Sequence, residues 1–328
     1  MMRKFFKWIS VILLVAIIAL GVWGYAPDIP AKELRAKYAN SESEFVKLDN
    51  GLTVHLRDEG PKDAPTIMLL HGSNASLQTW DEWTRRLKGK YRVIRFDQIG
   101  HGLTGPDPKD CYTAACFVDT VERVAANRGL SKFYLGGNSM GGWVSWEYAE
   151  AHPDQLAGLI LVDAAGAPDA APKALPIGFR IAAMPGINRL ATFITPRSLV
   201  EKSLRQSVSR SGFITGQEVD LYWELLRYPG NRQASVKRGQ ARRGLETPQR
   251  NDAPVLSIPT LILWGEEDRL IPVKAVKWFE QHLPDHQTHI YASTGHLPQQ
   301  EVAGQSADDV IAWLGSRPLA PANQATLR

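Results

Sequence analysis

The stretch Gly137-Asn138-Ser139-Met140-Gly141-Gly142 constrains the fold of this chain more than any other. Before it runs Phe133-Tyr134-Leu135-Gly136, a short apolar segment that reads as a buried strand. After it comes Trp143–Ala149, which reads as a helix. A chain that turns from strand to helix across one serine strains the backbone at that serine. Only glycine-sized neighbours let the two elements pass so closely. The hydroxyl of Ser139 is then left standing clear of the sheet, as a nucleophile requires. Five residues are too few to establish that use alone. A serine nucleophile also needs a base, an acid that orients the base, and amides that receive an oxyanion.

The flanking sequence alternates in a way that provides places for all three. Glu44–Leu48 and Leu52–Arg57 are strands joined by Asp49-Asn50-Gly51, a strong hairpin signal. Thr66–Leu70 is a buried strand running into His71-Gly72-Ser73-Asn74. Residues 77–88 read as helix, Tyr91–Phe96 as strand, 114–128 as helix, 140–151 as helix and Leu156–Val162 as strand. The alternation stops at Ala164 for roughly ninety residues of proline-interrupted, helix-like sequence. It resumes with a strand at Thr260–Trp264, a helix near 273–282, a strand at Thr288–Ala292 and a helix at 300–314. Such alternation predicts an α/β fold with a mostly parallel sheet covered on both faces. The long insertion predicts a helical cap over the carboxyl edge of that sheet, where ligands bind in open α/β folds.

Of the eight histidines, His296 in Ser293-Thr294-Gly295-His296-Leu297-Pro298 follows the last strand and is the candidate base. His71 and His101 lie in Gly-rich turns, where packing or backbone hydrogen bonding is the usual role, and His152 before Pro153 reads as structural. His55, His282, His286 and His289 fall in a strand or on polar segments. The candidate acid is Asp268, leaving the strand before Gly265; Glu266 and Glu267 read as early-turn surface residues. Asp163, at the end of the neighbouring strand, is the alternative acid, its bland role being a cap or loop brace. For the oxyanion, the Met140 amide opens a helix and lacks an intrahelical partner. Ser73 follows His71-Gly72 and supplies the second amide, with Asn74 as the alternative.

The amino terminus belongs to a different regime. Arg3, Lys4 and Lys7 precede Trp8–Tyr25, an uncharged and almost continuously apolar run. About 18 residues just suffice to cross a bilayer as a helix. The basic flank would stay cytoplasmic, with Trp8, Trp23 and Tyr25 at the interfaces. The expectation is a single-pass anchor in the inner membrane, the rest facing the periplasm or cell exterior. A cleaved signal peptide is the competing reading, weakened by Val22-Trp23-Gly24 as a poor cleavage site. Residues 26–43 read as a tether, 44–166 with 254–315 as the core, 167–253 as the cap and 316–328 as a loose tail. The cap carries 14 Lys+Arg against 7 Asp+Glu within a chain of net charge +4. That surplus suits anionic lipid or an acidic substrate, or is a solvated helical face. Two cysteines, Cys111 and Cys116, make neither a disulfide framework nor a zinc site; one bridge and two free thiols both fit. No metal and no nucleic-acid motif is evident.

With these pieces in order the sequence resembles the α/β-hydrolase superfamily from about Glu44 to Leu314. The resemblance rests on His71-Gly72, Asp97-Gln98-Ile99-Gly100-His101-Gly102, the turn at Ser139, Trp264-Gly265-x-x-Asp268 and Gly295-His296-x-Pro298-x-x-Glu301. The order Ser, Asp, His is the one this superfamily uses. The turn together with Val162-Asp163-Ala164-Ala165-Gly166 is similar to bacterial lipases and esterases related to the meta-cleavage-product hydrolases. The resemblance implies eight strands, a helical cap, no cofactor and hydrolysis of a small-molecule carboxylic ester through an acyl-enzyme. Carbon–carbon hydrolase, lactonase and amidase chemistry at the same site remain alternatives, as does a noncatalytic binding protein on the same fold. Ser73-Asn74-Ala75 replaces the Gly-rich loop of the carbon–carbon hydrolases. A serine at 139 counts against the dehalogenases and epoxide hydrolases, which use aspartate there.

Overall fold

The computed structural model describes Trp8, Gly21, residues 24–168, 176–184, Gly186, Arg189, and residues 192–210, 212–244 and 253–317. The strands are β1 (Ser43–Lys47), β2 (Thr53–Glu59), β3 (Thr66–Leu70), β4 (Arg92–Phe96), β5 (Phe133–Asn138), β6 (Leu156–Val162), β7 (Thr260–Gly265) and β8 (His286–Tyr291). They form one eight-stranded sheet in the order β1-β2-β4-β3-β5-β6-β7-β8. β2 is antiparallel to both its neighbours, and β3 to β8 are parallel. Every residue of β3, β5 and β7 is buried, which is why these strands read as continuous apolar runs rather than alternating ones. β8 is an edge strand of mostly half-exposed residues, and its start lies two residues before the sequence expectation because His286 and Gln287 carry no apolar signal.

Helices cover both faces. α1 (Ala31–Tyr38) precedes the sheet; α2 (Asp81–Leu87), α3 (Ala114–Asn127) and α4 (Met140–Ala151) connect its strands. α5 (Ile177–Ala183), α6 (Arg197–Ser207), α7 (Gly216–Leu226) and α8 (Asn231–Gly244) all fall between β6 and β7. α9 (Val276–His282), α10 (Pro298–Glu301) and α11 (Ala303–Ser316) complete the chain. One face of the sheet packs Phe117, Val144, Trp146 and Phe279 against Leu135, Leu161 and Ile262. The other packs Trp80, Trp83, Val310 and Trp313 against Ile67, Tyr134 and Leu263.

Two features go beyond what the sequence suggests. Residues 26–43 are not a loose tether. The amide of Ala26 donates to Phe193 O at 2.9 Å and that of Ile29 to Arg227 O at 2.9 Å. Arg232, almost fully buried, donates to Ala26 O at 2.5 Å and to Asp28 Oδ1 at 2.6 Å. α1 follows and buries Leu34 against Leu103, Leu225 and Tyr228. One buried residue in eight is too faint a periodic signal to read from sequence. The second feature is a disulfide between Cys111 and Cys116. Among the described residues no helix is long and apolar enough to cross a membrane. The run Trp8–Tyr25 falls outside them apart from Trp8, Gly21, Gly24 and Tyr25, as does the tail beyond Arg317.

Candidate active site

Because β3 to β8 run parallel, the loops after β3, β5, β6, β7 and β8 emerge at one edge of the sheet, and the expected residues meet there. Ser139 sits between β5 and α4 with φ 57° and ψ −116°, a conformation that strains any residue with a side chain. The glycines around it are forced by contact. A Cβ at Gly137 would lie 2.2 Å from the Gly141 backbone, and one at Gly141 would lie 2.1 Å from Leu70 O. α4 therefore drives into the sheet edge, and Met140 supplies its first amide. Among the described residues no hydrogen bond takes up the amide of Met140 or of Ser73. Asn74, at φ 59°, turns its side chain to the insertion, accepting from Ser235 Oγ and Arg238 Nη2, both at 3.0 Å.

His296 Nδ1 lies 2.7 Å from Asp268 Oδ2, with both residues buried. The other oxygen of Asp268 accepts from the amides of Leu270 at 2.7 Å and Ile271 at 3.1 Å. The two amides and the imidazole N–H together fix the orientation of this carboxylate. This pairing fixes Nδ1 as the protonated nitrogen and leaves Nε2 free to accept. Asp163, fully buried at φ 42°, accepts from the Gly265 amide at 3.1 Å. It stands beside the pair without replacing Asp268 as the direct neighbour of His296 Nδ1. Burial, then the charge of Asp268 and a hydrogen bond to it, push the Asp163 carboxyl well above its ordinary range. Glu266 and Glu267 are exposed.

The loops are braced by residues that the sequence marks only as parts of motifs. Asp97 Oδ1 accepts from the Leu77 amide at 2.8 Å, and Oδ2 accepts from the Leu103 amide at 2.8 Å and meets His55 Nδ1 at 2.7 Å. Burial raises the Asp97 carboxyl, but His55, His71 and the Leu103 amide outweigh it and hold the group below its usual range. The ring of His71 donates from Nδ1 to Gly72 O at 2.8 Å and accepts the Gln98 amide at Nε2 at 3.0 Å. Burial lowers its pKa, and with both ring nitrogens engaged by backbone it shapes the loop before Ser73. Asn138 Nδ2 donates to Val162 O and His296 O, both at 3.1 Å, tying the serine turn to the histidine loop. Glu301 Oε1 accepts the Gly295 amide at 2.9 Å, and Oε2 accepts the Ser209 amide at 2.8 Å, joining that loop to the insertion.

Ser73, Asn74, Ser139 and His296 line one cavity. Its far walls are Ile181, Ile194, Leu199, Val200, Leu204 and Val236 from the insertion, so the helices between β6 and β7 do cover the site. Leu175-Pro176-Ile177-Gly178-Phe179 and Met184-Pro185-Gly186-Ile187 are the apolar segments of the insertion that read from sequence as acyl-pocket lining or as cap core; Gly178 lines the cavity and Met184 is exposed. Leu175, Pro185 and Ile187 and the side chain of Phe179 lie outside what the structure describes. The sequence does not mark Ile194, Leu199 and Val200, because nothing local distinguishes a cavity wall from cap core. Asp163, Asp268 and His296 bring one donor atom each within 4.8 Å of one another, but the carboxylates already hold backbone amides and His296. The donors thus serve one another, and nothing in the set calls for a cation.

A family model of the α/β hydrolase fold matches residues 65–301. The chain belongs to the α/β-hydrolase family. As a member it is similar to lipase 1 of Psychrobacter immobilis, 24% identical over 83% of this chain and 84% of that one. It is also similar to a 2-hydroxy-6-oxononadienedioate/2-hydroxy-6-oxononatrienedioate hydrolase of Comamonas testosteroni, 27% identical over 80% of this chain and 93% of that one. Among solved structures, a membrane phospholipase A described as a bacterial virulence factor superposes with a TM-score of 0.72 at 24% identity. That match spans 98% of this chain and all of the other. The α/β-hydrolase fold, with its sheet and covering helices, thus carries a hydrolase site.

Proposed function

We propose that this hydrolase cleaves carboxylic esters through an acyl-enzyme on Ser139. The observation that carries the reading is a serine held at φ 57° in one apolar cavity with a histidine whose Nδ1 is engaged by a buried carboxylate at 2.7 Å. His296 Nε2 takes the Ser139 proton as Oγ attacks the acyl carbon. The amides of Ser73 and Met140 receive the oxyanion, a contribution of about 3–4 kcal/mol for each well-placed donor. His296 then gives its proton to the departing alkoxide, and the C–O bond breaks. Water enters, loses a proton to His296, and attacks the acyl carbon; Ser139 leaves with that proton, and the carboxylic acid is released.

The same proposal places the domain outside the inner membrane on the apolar run Trp8–Tyr25. The breadth of the likeness to a membrane phospholipase A is in keeping with it. Carbon–carbon bond hydrolysis is the second reading, favoured by the Comamonas relative and disfavoured by Ser73-Asn74-Ala75 in the oxyanion loop.

The test is a panel of p-nitrophenyl esters from acetate to palmitate, run on the wild type and on Ser139→Ala. The substitution is expected to lower kcat by about 10⁴-fold or more. A fluorophosphonate is expected to leave its adduct on Ser139, located by mass spectrometry. Undiminished turnover in the variant would sink the mechanism. Faster turnover of a vinylogous diketone than of any ester would transfer the assignment to carbon–carbon hydrolysis. Recovery of the full-length protein in the soluble fraction would refute the anchor.

A further inference from the structure

Two acids at the same histidine are one more than an ester hydrolase needs, and their surroundings differ. Asp268 accepts two amides and the imidazole N–H. Asp163 accepts one amide through Oδ1, while its Oδ2 is buried with no conventional partner. The other titratable groups facing it are Asp268 on the loop after β7, His296 after β8, Glu301 on α10 and the Tyr291 hydroxyl at the end of β8. Three of these four are acids, and the single base is already committed to Asp268. Two carboxylates this close cannot both ionise in a dry site. A proton on Asp163 Oδ2, directed at Asp268, gives the orphaned oxygen its partner and removes the repulsion.

We propose that Asp163 and Asp268 share one proton, and that Asp163 is a positioning residue able to take over from Asp268 in orienting His296. In the wild type Asp163 is neutral and donates to Asp268. That bond draws charge away from His296 Nδ1 and weakens the hold on the imidazolium. When residue 268 carries no charge, the reason for Asp163 to stay protonated is gone. It then ionises and faces His296 itself, within the 4.8 Å that already encloses the three groups. The inference rests on His296 being the base proposed above.

The experiment compares kcat/KM against pH for p-nitrophenyl butyrate in Asp163→Leu, Asp163→Asn, Asp268→Asn and the double Asp163→Asn/Asp268→Asn. Asp163→Leu has no donor for Asp268, whereas Asp163→Asn keeps one. The acidic limb of the Leu variant is expected about 0.5–1 unit above that of the Asn variant. Asp268→Asn is expected to lose about 10²-fold, and the double variant about 10⁴-fold, as when a triad loses its only acid. A full 10⁴-fold loss in Asp268→Asn with no further loss in the double variant would overturn the takeover. Coincident limbs in the two Asp163 variants would overturn the shared proton. Thermal melts and fluorophosphonate labelling run alongside. Absence of a Ser139 adduct in the wild type points to failure of the ester-hydrolase reading, while an adduct with either overturning result points to failure of this inference alone.

Discussion

Gly265 ends β7 at the point where the loops carrying Asp268 and His296 cross. A Cβ there would lie 1.9 Å from Gly295 O, 2.6 Å from Thr294 O and 2.8 Å from Gly295 C. All three neighbours are backbone, so no side chain can swing aside. Restoring an ordinary carbon–oxygen separation of about 3.3 Å requires the two loops to part by about 1.4 Å. The pair to be separated is held at 2.7 Å, and its members lie three residues from Gly265 and one residue from Gly295. A displacement of about 1 Å in a catalytic group costs about 10²-fold. Gly265→Ala is therefore expected to lower kcat by about 10²–10³-fold with little change in KM. Overpacking of this kind destabilises by about 1–3 kcal/mol, or a few degrees in Tm, so most of the protein stays folded at assay temperature. Gly315→Ala, on α11 with nothing within 4 Å, is the matched control and is expected to keep full activity. The assay is steady-state kinetics with a p-nitrophenyl ester, normalised to a fluorophosphonate count of active sites. A Gly265→Ala protein with wild-type kcat would show that the crossing does not set the His296–Asp268 distance, and the reasoning would fail.

Other outcomes follow from the same contacts. A Cβ at Gly24 would lie 2.5 Å from Ile194 Cγ2, and Ile194 lines the cavity, so Gly24→Val is expected to shift ester preference to shorter acyl chains without lowering acetate turnover; an unchanged profile from acetate to palmitate would count against it. Asp97 has its folded-state pKa depressed, so its stabilisation is present above the unfolded value of about 3.9 and is lost as pH falls through the folded value. Urea unfolding from pH 6 down to pH 3 is expected to show that loss, and Asp97→Asn to flatten it while costing about 3–5 kcal/mol at neutral pH. Closing the five-residue separation between Cys111 and Cys116 is expected to contribute about 2 kcal/mol, so dithiothreitol lowers the urea midpoint of the wild type but not of a Cys111→Ser/Cys116→Ser variant.

Local chemistry made much of this legible in advance. A glycine-flanked serine between an apolar run and a helix permits few backbones, and β3, α4 and β6 carry the bounds the sequence predicts because burial leaves clear periodic signals at both ends. His296 and Asp268 were readable for a topological reason. Once the strands are parallel, residues just past their carboxyl ends converge without any pairwise signal between them.

The serine turn, the alternating elements and the short set of candidate acids and bases were thus determined by sequence alone, since each depends on neighbours within a few residues. Sequence favoured Asp268 over Asp163, and only the tertiary structure shows which carboxylate stands at His296 Nδ1. That choice rests on three bonds made from one carboxylate and one from the other, in a crowd of loops 28 to 133 residues apart in sequence. It also decided that residues 26–38 clasp the insertion through Arg232, more than two hundred residues away along the chain for Ala26 and Asp28, and that Ile194 faces the cavity. Contacts of such separation leave no periodic trace, because their energy comes from the surface they exclude from water together.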